Sequence, residues 1–348
     1  MHTGQTTSSS STYRHCPLCL SDNIAEAFTG LDRMYGKEGQ FPVFHCHNCD
    51  LYFLGKKLSV EELGSYYPDT YYAYENGQPE NKKTSYLKTK ELELRQRVEK
   101  KAFSLFLGYP SGEDSSFWVN FLAQRKKKKF EQLPPYTESG RLLDVGCGGG
   151  TYLTAMRKLG WEVEGVEPGH SGCEACRKQG VTVHEGTLEG ALLPSESFDF
   201  IRFEHVLEHV PEPLATLLEA KRILKSGGTI RVMVPNMHSL PARWFGTYWY
   251  HLDTPRHLFW FTTSTIKMLA KKAGLQISHI NVQTDHSDIA DSLIYWLRDH
   301  SPKLGKRMGK RKLLWKLCNK LCLPMKIWMN MTAKGSLLIV SMTKEDHK

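Results

Sequence analysis

The stretch Arg141 to Glu167, RLLDVGCGGGTYLTAMRKLGWEVEGVE, holds an acid, Asp144, followed by a turn of four glycines, and ends on another acid. With no Cβ at Gly146, Gly148, Gly149 and Gly150, the chain can take positive φ and bring backbone N–H groups against a ligand at the start of a helix. Asp144 stands just ahead of them, in the pattern Asp-x-Gly-x-Gly-x-Gly. A carboxylate there would repel a pyrophosphate, so the ligand end near this turn is expected to carry an ammonium or sulfonium charge. Glu167 follows about 20 residues on, where an acid accepts bonds from both hydroxyls of a ribose.

Thiols give the second chemistry. Cys16 and Cys19 in HCPLC, and Cys46 and Cys49 in HCHNC, are two Cys-x-x-Cys knuckles. Each turns two thiolates toward one point, and together they make a tetrahedral zinc site. A redox pair would need only one such motif. His15, His45 and His47 flank the knuckles, but four thiolates leave them no role as ligands. A closed Cys₄ site has no open coordination position, so its zinc holds the fold and does not catalyse. Cys173 and Cys176 repeat the spacing inside a helical stretch with no second pair, and read as ordinary helix residues.

Imidazoles give the third. His205, Glu208 and His209 follow the apolar run Phe198 to Phe203. An imidazole titrates near neutrality and can take a proton from a hydroxyl. The competing reading of Glu208 and His209 is a cap for the next helix and loop. Farther on, Trp244, Phe245, Tyr248, Trp249 and Tyr250 crowd around His251, Asp253, Arg256 and His257 in a long loop, where specificity usually resides. Arg256 and His257 either face an acceptor, Arg256 suiting a phosphate or carboxylate, or pin the loop to the sheet.

The elements that must position these groups follow from periodicity. Leu142, Leu143 and Val145 make a buried strand, Thr151 to about Leu159 a helix, and the run into Glu167 a second strand, which is a βαβ unit. Downstream come VTVHEGTLEGALLPSESFDFIRFEHVLEHVPEP and LATLLEAKRILKSGGTIRVMVPN. From roughly Thr137 to Asn281 these ordered motifs resemble the class I S-adenosylmethionine-dependent methyltransferases. The resemblance implies an α/β, Rossmann-like, doubly wound seven-stranded sheet, with Gly274 to Val282 as sixth strand and Gly335 to Met342 as antiparallel seventh. It implies an S-adenosyl-L-methionine cradle of Asp144, Gly146, Cys147, Gly148, Glu167 and Glu204, the last at the end of the fourth strand, with Thr187 and Leu188 reading the adenine. Many relatives carry an acid where Thr187 stands. His-Val-Leu-Glu-His resembles the Glu-x-x-Glu-His of ubiquinone-type O-methyltransferases, where those groups are associated with a divalent metal. Here His205 replaces the first acid, which weakens the case for magnesium and leaves a base. His205, His209 and His257 are the candidate catalytic residues.

At 348 residues, one large domain and a smaller module are expected. Residues 1–12 read as a disordered Ser/Thr/Gly-rich tail and 13–58 as a zinc ribbon. Residues 59–135 form a tyrosine-rich and helical connector, and 136–345 the methyltransferase domain with a basic amphipathic insert at about 285–334. In the connector, Ser59 caps a short helix, and the tyrosines running to Tyr74 either stack on a sugar or lipid headgroup or pack the module onto the domain. The lysines at 126–129 read as a solvated helix face. The formal charge is +9, and Lys303 to Lys334, with ten Lys or Arg and no acid, accounts for the excess. In that insert Leu313, Leu314, Leu317 and Leu321 recur among lysines at helical spacing. It is expected to be a lid over the acceptor pocket, with contact to an anionic membrane surface as a secondary role. No apolar run is long enough to span a bilayer, and the N-terminus lacks a signal's basic and apolar regions. The protein is therefore expected in the cytoplasm, with the insert able to meet the inner membrane surface.

Three function classes compete. The first is methyl transfer from S-adenosylmethionine to a hydroxyl of a sugar, glycolipid or other small molecule. That acceptor follows from a resemblance to cysteine-module methyltransferases of sugars and lipid-linked glycans. The second is an RNA methyltransferase, favoured by charge and a zinc ribbon. Against it, Glu204 to Leu207 stands where an Asn-Pro-Pro-Tyr or Asp-Pro-Pro-Tyr would hold a flipped base, so nucleic acid is not the expected partner. The third is a non-catalytic scaffold that binds the cofactor, which the intact glycines and Glu167 oppose.

Overall fold

A computed structural model of the chain describes residues 12–68, 86–110, 116–125, 133–285, 287–310 and 312–344. The tail before residue 12, the tyrosines at 71–74 and the lysines at 126–129 lie outside the described residues. The chain divides into two compact units, one of residues 1–71, 187–196 and 201–348, the other of residues 72–186 and 197–200.

In chain order the first elements are β1 (Ile24–Gly30), β2 (Phe41–Cys46), β3 (Tyr52–Leu54), α1 (Val60–Gly64), α2 (Tyr86–Leu107) and α3 (Phe117–Gln124). Then come β4 (Arg141–Val145), α4 (Thr151–Arg157), β5 (Glu162–Glu167), α5 (His170–Lys178), β6 (Thr182–Glu185) and β7 (Phe198–Glu204). They are followed by α6 (Pro213–Ile223), β8 (Leu224–Pro235), α7 (Leu240–Phe245), β9 (Phe259–Trp260), α8 (Thr263–Lys272) and β10 (Leu275–Gln283). The last are α9 (Asp288–His300), α10 (Pro302–Lys310), α11 (Lys312–Leu321), α12 (Leu323–Met331) and β11 (Leu337–Lys344).

Seven strands are hydrogen-bonded in the order β10-β11-β8-β7-β4-β5-β6. β4 and β5, and β5 and β6, pair in parallel, whereas β11 runs antiparallel to both β10 and β8. This is the α/β Rossmann-like arrangement expected, antiparallel last strand included. Strand order reverses beside β4, where open sheets of this kind bind ligands at the carboxyl ends.

In the second unit, the apolar run of β4 is buried from Leu142 onward, and Leu142, Leu153, Met156, Trp161, Val181 and Phe200 form one core. Trp161 Nε1 donates to Tyr109 Oη at 2.6 Å, whose hydroxyl donates to Pro134 O at 3.0 Å, so the connector is anchored by a buried polar chain. α4 ends two residues short of the sequence expectation, ahead of Gly160 at φ 95°.

In the first unit, β1, β2 and β3 continue to β9, giving a second sheet in the order β1-β2-β3-β9. The cysteine module is thus built into the same unit as the loop before β9, through Tyr52↔Trp260 and Phe53↔Phe259. Trp249 and Trp260 are fully buried there with Val43 and Leu252. Each ring removes roughly 200 Å² from water, about 5 kcal/mol of gross driving force before ordering entropy. Ser59 caps α1 as expected, and Glu62 completes a capping box with it.

Candidate functional site

The glycine turn lies in the second unit. Gly146, Gly148 and Gly150 hold φ of 70°, 52° and 77°, a left-handed backbone that an L side chain would strain. Gly150 has a packing reason as well, since a Cβ there would come within 2.8 Å of Cys176 Sγ. The turn's carbonyls are tied down from α5 and its C-cap: Cys176 Sγ donates to Gly148 O at 3.2 Å and Gln179 Nε2 donates to Gly149 O. Cys173 Sγ donates to Glu167 O at 3.1 Å. The third Cys-x-x-Cys therefore packs behind the turn, and Cys147 Sγ sits 3.7 Å from Cys176 Sγ.

Glu167 is the hub of this turn. Its Oε2 accepts from Gly148 N and its Oε1 from Gly169 N, both at 2.8 Å. Each carboxylate oxygen keeps a further acceptor direction. Burial raises the Glu167 pKa, the Asp144 charge adds to the rise, and the two backbone N–H bonds oppose it. Asp144 is itself buried. Two carboxylates repelling each other in one buried volume, beside a glycine-lined backbone, fit a cationic adenosyl donor and oppose a pyrophosphate.

The histidines lie in the first unit. His205 follows β7 with φ 55° and donates its backbone N–H to Met233 O at 3.0 Å. Its Nδ1 lies 3.2 Å from Glu208 Oε1. Glu208 is fully buried, its carbonyl accepts from Leu258 N at 2.7 Å, and its Oε2 has no partner. His209 Nδ1 lies 3.0 Å from Arg256 O and 2.8 Å from Tyr67 Oη. Because a carbonyl only accepts, the bond to Arg256 puts the His209 proton on Nδ1 and leaves the Nε2 lone pair for another partner. His257 Nδ1 donates to His251 O at 2.9 Å, with the same consequence. Burial lowers the pKa of His209, and burial with its neighbouring histidines lowers that of His257 well below the usual value, so both rings are neutral at pH 7.

Glu208, His209 and His257 place one ligand atom each within 4.8 Å of the others. Two neutral imidazoles and a carboxylate suit a transition metal or zinc better than magnesium, which prefers oxygen donors. His205 stacks at 5.7 Å on His251. Burial works against a charged His251, but Asp285, Asp288 and Glu208 outweigh it and raise its pKa. His251 Nε2 lies 3.5 Å from Asp285 Oδ2, ion-pair distance without hydrogen-bond alignment.

Of the two readings of Arg256, the structure selects the pin. The residue is fully buried, and its guanidinium donates to both oxygens of Asp32, at 3.1 and 2.7 Å, and to Asp253. It also donates to Tyr66 O at 3.3 Å, so no donor pair is left for an acceptor's phosphate or carboxylate. What it holds is the cysteine module, not the sheet, against the loop that carries His257. Nothing in the local sequence around Asp32 signalled this. Thr187, at an exposed turn, uses its hydroxyl to accept from Gly190 N at 3.2 Å, Leu188 is buried, and Glu204 pairs with Arg202.

Four sulfurs meet in the cysteine module. Cys16 and Cys49 are 3.5 Å apart, as are Cys19 and Cys46, and all four lie within 4.8 Å of one another. Thiolates around tetrahedral zinc stand about 3.8 Å apart, so the cluster fits that ion. His45 instead bonds Asp50 at 2.9 Å and stacks on Tyr52.

An acid-fronted glycine turn after the first strand of a seven-stranded sheet with an antiparallel last strand defines a class I, Rossmann-like methyltransferase fold. Comparison with known proteins agrees: a family model described as a methyltransferase domain matches residues 118–280. A ubiquinone biosynthesis O-methyltransferase from Cereibacter sphaeroides is 29% identical over 180 residues, 45% of this chain and 70% of that protein. Another, from a second strain, is 32% identical over 155 residues, 39% of this chain and 60% of its own length. A third, from Histophilus somni, is 36% identical over 101 residues, 26% of this chain and 42% of its own length. A solved Thermotoga maritima methyltransferase, described as a possible histamine N-methyltransferase, aligns at TM-score 0.42 and 21% identity over 73% of this chain and 99% of its own. The chain carries a class I S-adenosylmethionine-dependent methyltransferase domain and is an enzyme of that chemistry.

Proposed function

We propose that the enzyme transfers a methyl group to a hydroxyl of a small polar acceptor, a sugar or lipid-linked glycan foremost. The observation that carries the hydroxyl is the cluster at the end of β7: a buried carboxylate oxygen without a partner at Glu208, beside neutral imidazoles at His209 and His257 and next to His205. Such a cluster accepts protons, which is what an attacking hydroxyl must lose as its oxygen takes the methyl. The O-methyltransferases among the relatives support attack by oxygen, and their name offers ubiquinone precursors as the second acceptor class.

In this reading S-adenosyl-L-methionine supplies the electrophilic methyl. Glu167 grips the ribose hydroxyls, and Asp144 with the backbone of Gly146, Cys147 and Gly148 faces the charged end. Thr187 and Leu188 meet the adenine, and Glu204 at the end of β7 contributes to the same donor site. His205 takes the proton, and His209 and His257 hold the acceptor oxygen or a divalent ion that binds it. The Cys16, Cys19, Cys46 and Cys49 set holds a structural zinc. Incubation with methyl-labelled donor and separate glycan, lipid-linked glycan, phenolic quinone-precursor and RNA fractions tests this. Label in the glycan fractions supports the acceptor, label in the phenolic fraction moves it to the second class, and label in RNA alone overturns the proposal.

A further inference from the structure

The helices α10 to α12 carry a surface that methyl transfer does not use. Leu313, Leu317 and Leu321 recur at every fourth position along α11, and Leu323, Ile327 and Met331 do the same along α12. All six are more than half exposed. An amphipathic helix ordinarily turns such a stripe to the core, and a lid over an acceptor pocket would do so too. Here the inward contacts belong to other residues. Trp315 Nε1 donates to Asp291 Oδ1 on α9 at 2.8 Å, and the buried Lys326 donates to Asn319 Oδ1 at 2.8 Å, joining α12 to α11. Lys316 and Lys320 are exposed three positions after Leu313 and Leu317, which puts them beside the stripe.

We propose that this face docks on an anionic phospholipid surface, its leucines seated at the headgroup boundary and its lysine heads on lipid phosphates. Charge selects the occupant. With ten cations and no acid from Lys303 to Lys334, a second copy would set like charges against each other, and RNA would leave the leucines in water. No helix among the described residues is long and apolar enough to cross a membrane, so the contact is peripheral. The proposal stands independently of the acceptor.

The test is flotation of the full chain with vesicles of phosphatidylcholine alone or mixed with phosphatidylglycerol. Binding is expected to the anionic vesicles only and to fall with salt. The triple variant Leu313→Ser, Leu317→Ser, Leu321→Ser should lose at least about tenfold in partitioning, and Lys316→Glu with Lys320→Glu about fivefold or more per site. Both should keep their affinity for S-adenosylhomocysteine, which reports folding. In the unmodified protein, brominated phosphatidylglycerol should quench fluorescence from the half-exposed Trp328, and Trp328→Phe should remove that component. Equal binding to both vesicle types, or anionic binding insensitive to the leucines, would overturn the proposal. So would a dimer dissolved by the leucine substitutions without vesicle binding, or capture of RNA alone.

Discussion

Replacing Glu167 with glutamine tests the donor cradle at its most connected residue. The wild-type carboxylate accepts from Gly148 N and Gly169 N at 2.8 Å each. A glutamine offers one oxygen and one NH₂, so one of these buried N–H groups loses its acceptor, at a cost of roughly 1–3 kcal/mol. The other side of the balance comes from the pKa. Burial, with Asp144, raises it above the ordinary 4.5, so its favourable contribution is full below 4.5 and is lost as pH rises through the folded value. At pH 7 that upward shift counts against the wild type and is absent in the variant, and the two effects offset each other in the melting temperature. Donor affinity has no such offset, because an anionic acceptor on a ribose hydroxyl is worth about 1.5–3 kcal/mol. Calorimetry with S-adenosylhomocysteine should show Kd rising roughly 10- to 150-fold while thermal unfolding of the ligand-free protein moves little. A Kd within about twofold of wild type, with the variant folded, would refute the assignment of Glu167 to the ribose. A large loss of melting temperature with no loss of affinity would make it a fastener of the turn only.

Three further substitutions separate the remaining parts. His205→Ala should retain S-adenosylhomocysteine affinity and lose turnover by about 10²-fold or more, and unchanged turnover in the labelled-donor assay removes it from the proton path. Cys46→Ser should lower bound zinc, read with a chelating dye, from about one per chain to none. Because β3 pairs with β9, the same variant should shift the tryptophan emission around Trp260; retained zinc would refute the ligand assignment. Asp32→Asn leaves Arg256 buried with Asp253 alone and should cost about 3–5 kcal/mol in denaturant unfolding. Burial works against ionised Asp32, but the Arg256 bonds outweigh it and hold its pKa below 3.8. That stability is present above 3.8 and lost as pH falls through the folded value, so the variant should show a weaker acid transition; an unchanged one would refute the clamp.

What could be read ahead of the structure was whatever residue type alone dictates. Gly146, Gly148 and Gly150 announce positive φ because no other residue takes it cheaply, and the paired knuckles announce a sulfur cluster because their spacing is local. The seven-stranded sheet with its antiparallel last strand was implied by the resemblance to class I methyltransferases, and its strand order came only with the structure. The Asp32–Arg256 clamp spans 224 residues and is written in neither neighbourhood. It exists only because the β3–β9 pairing brings the two segments together, so loop and ribbon become one support for His257. The same limit governs the insert: a period of four residues fixes that Leu313, Leu317 and Leu321 share a face but not which way the face turns. Packing decides that, and Trp315 and Lys326 occupy the inward side, so the leucines are left where only an apolar partner surrounded by negative charge satisfies both them and the lysines beside them.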